Sequence, residues 1–439
     1  MSKETAFLAL SRFGMGAAPG EAQRIAADPS GWVLAQLDQP AALPPELAGF
    51  LSGPEMARRE AEARKIKDEP QAKVRKAQLH RSYNDEAAAR TRAAAASATP
   101  FIERLVHFWS NHFTVSTARP VIAPLAGAFE REAIRPFVTG RFRDMLRAAT
   151  RHPAMLVYLD NIQSIGPNSV GGQKRGKGLN ENLARELLEL HTLGVDGGYT
   201  QADVGALARI LTGWTVIPES GAFRYVANLH EPGPKTLLGQ VHDGGESEGE
   251  IALILLSRHV STARFVAAKL ARHFIADNPP PVVVDALART FLETDGDLKA
   301  VTRQLVRRSE AWSSPLSKVR SPNDLVIATA RLLGAEMGVR SADADHKLFL
   351  SLAVMGQAPW SAPSPAGWPD RAEAWLGPES LMRRLEWAKM VADRFVRRVP
   401  DGLDQIIAAA GPATRQAVAG AQGAEALFLL LASREFQRR

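Results

Sequence analysis

The sequence predicts a mainly α-helical fold: a single large multi-helical domain with a charged helical N-terminal arm and at most a small β-hairpin. Three observations carry this expectation. Alanine, leucine and arginine dominate the chain. Apolar residues recur at helical spacing almost throughout, and alternating β-branched runs are scarce. The balance of 45% apolar and 23% charged residues over 439 positions is that of an ordinary globular protein able to bury its core without staples.

The elements follow in order. Residues 30–39 predict a short helix. Residues 55–67 and 71–97 predict two long charged helices with a breaker at Glu69-Pro70. The second has few large apolar residues, so residues 1–98 read as a peripheral arm and 99–439 as the helical body. Pro100 opens a far more apolar helix over 101–113. Further helices are expected over 122–132, 142–150 and 153–159. The stretch GPNSVGGQKRGKG (166–178) predicts a flexible basic loop. A helix pair over 179–193 and 201–212 precedes a non-helical stretch, 213–250, where AFRYVAN and KTLLG suit a hairpin. Helices resume over 251–257, 261–276, 283–293, 297–309 and from Pro322 to 333. Residues 358–369, rich in proline and tryptophan, read as irregular, and about four helices close the chain.

Composition excludes several classes of function. There are no cysteines, which removes disulfides, thiolate metal sites and cysteine nucleophiles. No apolar run approaches the ~20 residues of a spanning helix. The opening MSKETAFLALSRFG lacks a signal-peptide core, which predicts a cytoplasmic protein and leaves open export with a companion. A net charge of +7 is small for this length, so nucleic acid is not an expected partner.

Some segments carry residues suited to chemistry. In FIERLVHFWSNHF (101–113), Glu103, His107 and Asn111 share one helical stripe. Glu103 can orient His107 for proton transfer; a hydrogen-bonded structural histidine is the alternative. In NENLARELLELHTL (180–193), Asn182 and Glu186 flank the leucine stripe, where a carboxylate can act as general base or hold a divalent metal. Glu181, Arg185 and Glu189 form a ladder typical of a solvated face. His191 falls near the helix end. Thr200 and Asp203 have capping-box spacing. Asp196, Gly197, Thr200 and Asp203 echo an EF-hand loop that lacks its first two acidic ligands. Gly171, Gly176 and Lys177 nearly form a P-loop, but Gly178 replaces the required hydroxyl. Trp360, Trp368 and Trp375 stand among prolines and can either stack on a ligand or staple a loop.

FIERLVHFWSNHFTVS, NENLARELLELHTLGVDGGYTQADVGALARILTGW, STARFVAAKLARHFIADNPP and PSPAGWPDRAEAW are successive stretches of the chain. Together they resemble the bacterial domain of unknown function 1800 family over nearly its whole length. The resemblance implies a mostly helical fold. By motif position it nominates Asn180, Glu181, Asn182, Arg185, Glu186, Glu189 and His191, without a reaction. It also implies a neighbouring companion, the phosphatase- and sulfatase-like domain of unknown function 1501 family.

Two functions are therefore expected. The first is an acid–base or metal-assisted hydrolase or transferase with its site between the 101–113 and 180–193 helices. There His107, Glu186 and Arg185 would be catalytic, with Asn111, Asn182 and His191 binding substrate. The second is a non-catalytic partner or assembly protein for the companion.

Overall fold

The computed structural model describes residues 3–175, 178–313, 316–334, 351–395 and 410–439. It is mainly α-helical, and its helices start where capping chemistry allows. Asp28 accepts from the Gly31 amide at the head of Pro29–Gln36. Ser52 and Asp68 do the same for Gly53–Lys65 and Glu69–Ala96, each with proline in the first turn. The Thr200/Asp203 capping box opens Gln201–Ile210.

The charged arm is shorter than the sequence suggests. Gly53–Lys65 does carry a solvated ladder, with Arg58 paired to Glu55 and Glu62. Yet Phe13 packs against Phe101, Phe274 and Trp312, with ring centroids 5.1–5.9 Å apart, and the segment from Ala6 to Leu37 contributes to the main core. Residues 86–91 of the second helix are buried as well. Its small alanines let neighbouring backbones come close, which is why few large apolar residues sufficed.

Two helices expected as regular are interrupted. Over 122–137 the chain runs through Ala126–Phe129, a π turn Glu130–Ile134 and a 3-10 turn Arg135–Phe137. Pro136 cannot donate to a continuing helix. The π turn buries Glu130 and Arg135 together. A second π turn, Leu187–His191, follows Asn182–Glu186.

The expected flexible loop at 166–178 is corrected in part. Val170–Arg175 is helical, and Ser169 Oγ accepts from Gly172 N at 3.0 Å while donating to Gly166 O at 2.6 Å. A Cβ on Gly172 would lie 2.1 Å from Gly166 O, so glycine serves close packing here. Gly176 and Lys177 lie outside the described residues.

The non-helical stretch holds two antiparallel hairpins. Trp214–Val216 pairs with Phe223–Tyr225, and Lys235–Leu237 with Gln240–His242. Leu238 and Gly239, both at positive φ, make the two-residue turn of the second.

The main apolar core is built from residues between Ala6 and Ala311. A second cluster gathers Pro322–Leu333, Pro378–Phe395 and Gly423–Ala432. The chain's tail ties the two together: Arg439 N donates to Lys318 O, and Arg320 N to Gln437 O. Among the described residues no single helix is long and apolar enough to cross a membrane.

Candidate active site

A cavity of about 370 Å³ opens where these two clusters meet. Its walls come from the helices Pro100–His112 and Val260–Phe274, the start of Pro322–Leu333, the tryptophan loop and Arg439.

Pro100–His112 contributes His107. Glu103, expected to orient it, instead makes a bidentate pair with Arg135 (2.7 and 2.8 Å) and is buried there. Asn323 takes that orienting role. Its Oδ1 faces Arg90 Nη1 at 3.5 Å, so its Nδ2 donates to His107 Nδ1 at 3.1 Å. That assignment leaves the ring proton on His107 Nε2, which has no partner among the described residues. Burial, then Arg90, hold His107 well below the usual imidazole range, so it is neutral at pH 7.

Asn111, one turn further, clamps the tryptophan loop: Nδ2 donates to Trp368 O at 2.9 Å, and Oδ1 accepts from Trp368 N at 2.7 Å. Gly367 fits beneath at positive φ, where a Cβ would lie 2.4 Å from Asn111 O. Trp360 also sits at positive φ, an uncommon conformation for so bulky a residue. It is held there by Thr117 N donating to its carbonyl and by its own Nε1 donating to Glu130. Its ring stacks on Arg90, 5.3 Å away. Tryptophans 360, 368 and 375 thus wall the cavity, and their loop is stapled down too.

Val260–Phe274 contributes most of the chemistry. Lys269, Arg272 and His273 follow at i, i+3 and i+4, which places them on one face. His273 Nδ1 donates to Asp370 Oδ2 at 2.7 Å, and its Nε2 is unpartnered among the described residues. Burial first, then Arg439, lower His273 to about 4 against the pull of Asp370. Burial opposes ionisation of Asp370, but His273, Arg439 and Lys318 override it and hold the carboxyl well below its usual range. The result at neutral pH is a neutral imidazole oriented by a carboxylate, the arrangement a general base requires. Lys269 Nζ lies 5.4 Å from the Phe265 ring centre and has no hydrogen-bond or carboxylate partner among the described residues. Burial, and secondarily Arg272, lower it to about 8, with Asp370 opposing.

The cavity is lined by six basic side chains, Arg90, Arg104, Lys269, Arg272, Arg371 and Arg439, against two acidic ones, Asp324 and Asp370. Arg90 is neutralised by Glu130 and Arg104 by Asp324. Lys269 and Arg272 are not paired with any carboxylate among the described residues.

The Arg90–Glu130 pair makes the fold acid-sensitive. Burial alone would raise Glu130, but Arg90 overrides it and holds the carboxyl at about 2, against an ordinary 4.5. A depressed carboxylate stabilises above its unfolded value and loses that contribution as pH falls through its folded value. Stability followed by urea melts is therefore expected to decline from pH 4.5 towards pH 2, and the slope should flatten in Arg90→Met. An unchanged slope in that variant would assign the acid sensitivity to other carboxylates.

The other expected site residues lie elsewhere. Glu186 does not line the cavity and shares no hydrogen bond with His107 among the described residues. Burial, then Glu189, raise its pKa. Arg185 is engaged in its ladder with Glu181 (3.2 Å) and Glu189 (3.5 Å). Asn182 starts its short helix outside the lining. His191 is buried behind His112, whose Nε2 donates to His191 O at 3.1 Å. Among the described residues no group of three or more His, Cys, Asp or Glu could hold a metal ion.

Sequence reasoning missed Lys269, Arg272, His273 and Asp370, although KLARH (269–273) and WPD (368–370) stand inside stretches already singled out. Three titratable groups on one face of the helix Val260–Phe274 were the available signal.

No curated protein and no solved structure matches the chain. The family described as Protein of unknown function (DUF1800) matches residues 8–438, essentially the whole length. The chain belongs to the DUF1800 family.

Proposed function

We propose that the protein is an acid–base enzyme, a hydrolase or transferase, acting on a small anionic substrate in the cavity between the two apolar clusters. One observation carries this reading: two cations without carboxylate partners, Lys269 and Arg272, share a helix face with the His273–Asp370 pair. In this reading Lys269 and Arg272 receive the anionic group. His273 Nε2 accepts a proton, and His107 Nε2–H donates to developing negative charge. The tryptophan walls exclude water from the reacting atoms.

The test is calorimetric titration of the full chain with inorganic phosphate at pH 7. Binding is expected, and Lys269→Met should weaken it about 10- to 100-fold, the worth of one charged hydrogen bond. Absence of binding, or equal binding by the variant, would sink the reading.

A second reading, a non-catalytic partner of a phosphatase- or sulfatase-like companion, draws on exposed Leu381, Met382 and Met390 along Pro378–Phe395. Replacing these by serine should then abolish the companion's binding and leave phosphate binding intact.

A further inference from the structure

We propose that Lys269 is a covalent amine that condenses with the carbonyl of a 2-oxo acid, whose carboxylate is received by Arg272. The inference rests on the anionic-substrate reading above and narrows it to one substrate class.

The geometry distinguishes half-buried Lys269 from the buried Lys235 and Lys318. Lys235 Nζ donates to Glu248 at 3.0 Å, and Lys318 Nζ is paired with Asp277 and Asp370. Both are structural cations fixed by carboxylates. Lys269 instead meets an aromatic face and an open cavity. An amine held against apolar surface and near another cation is the arrangement that keeps lysine unprotonated and nucleophilic. A salt-bridged ammonium has no lone pair to offer. The value of about 8 agrees with this: at pH 8 roughly half of Lys269 is free amine, on the order of 100-fold more than an ordinary lysine near 10.4.

Arg272, one turn away on the same face, is placed to take the adjacent carboxylate. Its Nε donates only to the Asp277 carbonyl, at 3.3 Å, among the described residues. Amine and guanidinium at i and i+3 are neighbours on the helix surface, as a carbonyl and its adjacent carboxylate require. His273 at i+4 is positioned for the proton transfers.

The step balances without an outside oxidant or reductant. The Lys269 nitrogen lone pair forms a bond to the carbonyl carbon, and the C=O π pair moves to oxygen, which takes up a proton. The ammonium formed on addition loses one proton. The carbinolamine hydroxyl then leaves as water with a second proton, while the nitrogen lone pair closes the C=N bond. Amine, carbonyl and one proton become protonated imine plus water, and loss of that proton gives the neutral imine. A protonated imine withdraws electrons from the neighbouring carbon, where His273 Nε2 can remove a proton.

The experiment treats the full chain with pyruvate or glyoxylate and sodium borohydride, which reduces an imine to a stable secondary amine, and maps the adduct by peptide mass spectrometry. Lys269 is expected to be the first lysine modified, with inorganic phosphate slowing its modification. Lys269→Arg should retain phosphate binding and lose the adduct. Phosphate binding with no adduct at Lys269, or labelling no faster than at exposed Lys389, would overturn this inference and leave the anionic-substrate reading standing. Loss of phosphate binding in the wild-type chain would instead remove that reading.

Discussion

Asp324→Ala is expected to destabilise the protein by about 3–5 kcal/mol, the cost of leaving a buried ion uncompensated. Asp324 is buried at the seam between the two apolar clusters. Its carboxylate faces Arg104 Nη1 at 3.3 Å and Arg439 Nε at 2.7 Å. Burial favours the neutral acid, yet these arginines hold the group ionised and well below its usual range. Among the described residues, removing it leaves Arg104 with the Gly14 carbonyl as its partner, and leaves Arg439 with the His273 carbonyl at 2.7 Å and a 3.6 Å contact to Asp370, neither of which supplies a close countercharge.

The same location explains why this loss should exceed that of a surface pair. Arg104 is almost wholly buried although it borders the cavity, so little water reaches its guanidinium. Asp324→Asn, which keeps the shape and loses the charge, should fall between alanine and wild type. Arg104→Met combined with Asp324→Leu should recover much of the deficit, because it removes both desolvation costs together. Urea denaturation of the four proteins checks this. A loss below about 1 kcal/mol for Asp324→Ala would mean that the cavity already admits enough water to solvate Arg104.

The helical fold was legible because its signals are local. The caps at Asp28, Ser52, Asp68 and Thr200 lie within three residues of the amides they satisfy. The Glu181–Arg185–Glu189 ladder needs only one helix face, and it formed as read. The site was only partly legible because its decisive contacts are remote. His273 and Asp370 are 97 positions apart, and His107 and Asn323 are 216 apart. No spacing rule connects such pairs. His107 was recognisable as a polar residue on an aromatic helix, but its orienting partner was not. Glu103 was the natural local choice until Pro136 and the π turn before it brought Arg135 within reach. Asn111 was expected to bind substrate, but its amide is taken up by the backbone of Trp368, 257 positions away.

Asp370→Asn is expected to separate binding from turnover. Asp370 is the carboxylate opposing Lys269 in the cavity, and it orients His273 through Nδ1. Removing one negative charge some 5–10 Å from a bound anion favours that anion by about 2–3 kcal/mol at an effective dielectric near 20. Inorganic phosphate should therefore bind the variant at least about tenfold more tightly. Turnover should move the other way. Without the carboxylate charge, Arg439 Nη2, 3.3 Å from His273 Nδ1, competes for that nitrogen, and the ring is no longer stabilised once Nε2 has accepted a proton. A fall of about 10²–10⁴-fold is expected, the usual worth of a positioned base. The two readouts are phosphate calorimetry and the rate on whichever anionic ester or 2-oxo acid the wild-type protein processes. The variant also loses ionic contacts to Lys318 and Arg439, so both are measured on protein shown to be folded. Tighter binding with lost turnover identifies Asp370 as the residue that sacrifices affinity to set the base. If binding and turnover weaken together, the carboxylate instead shapes the binding face, and the His273 general-base role is withdrawn.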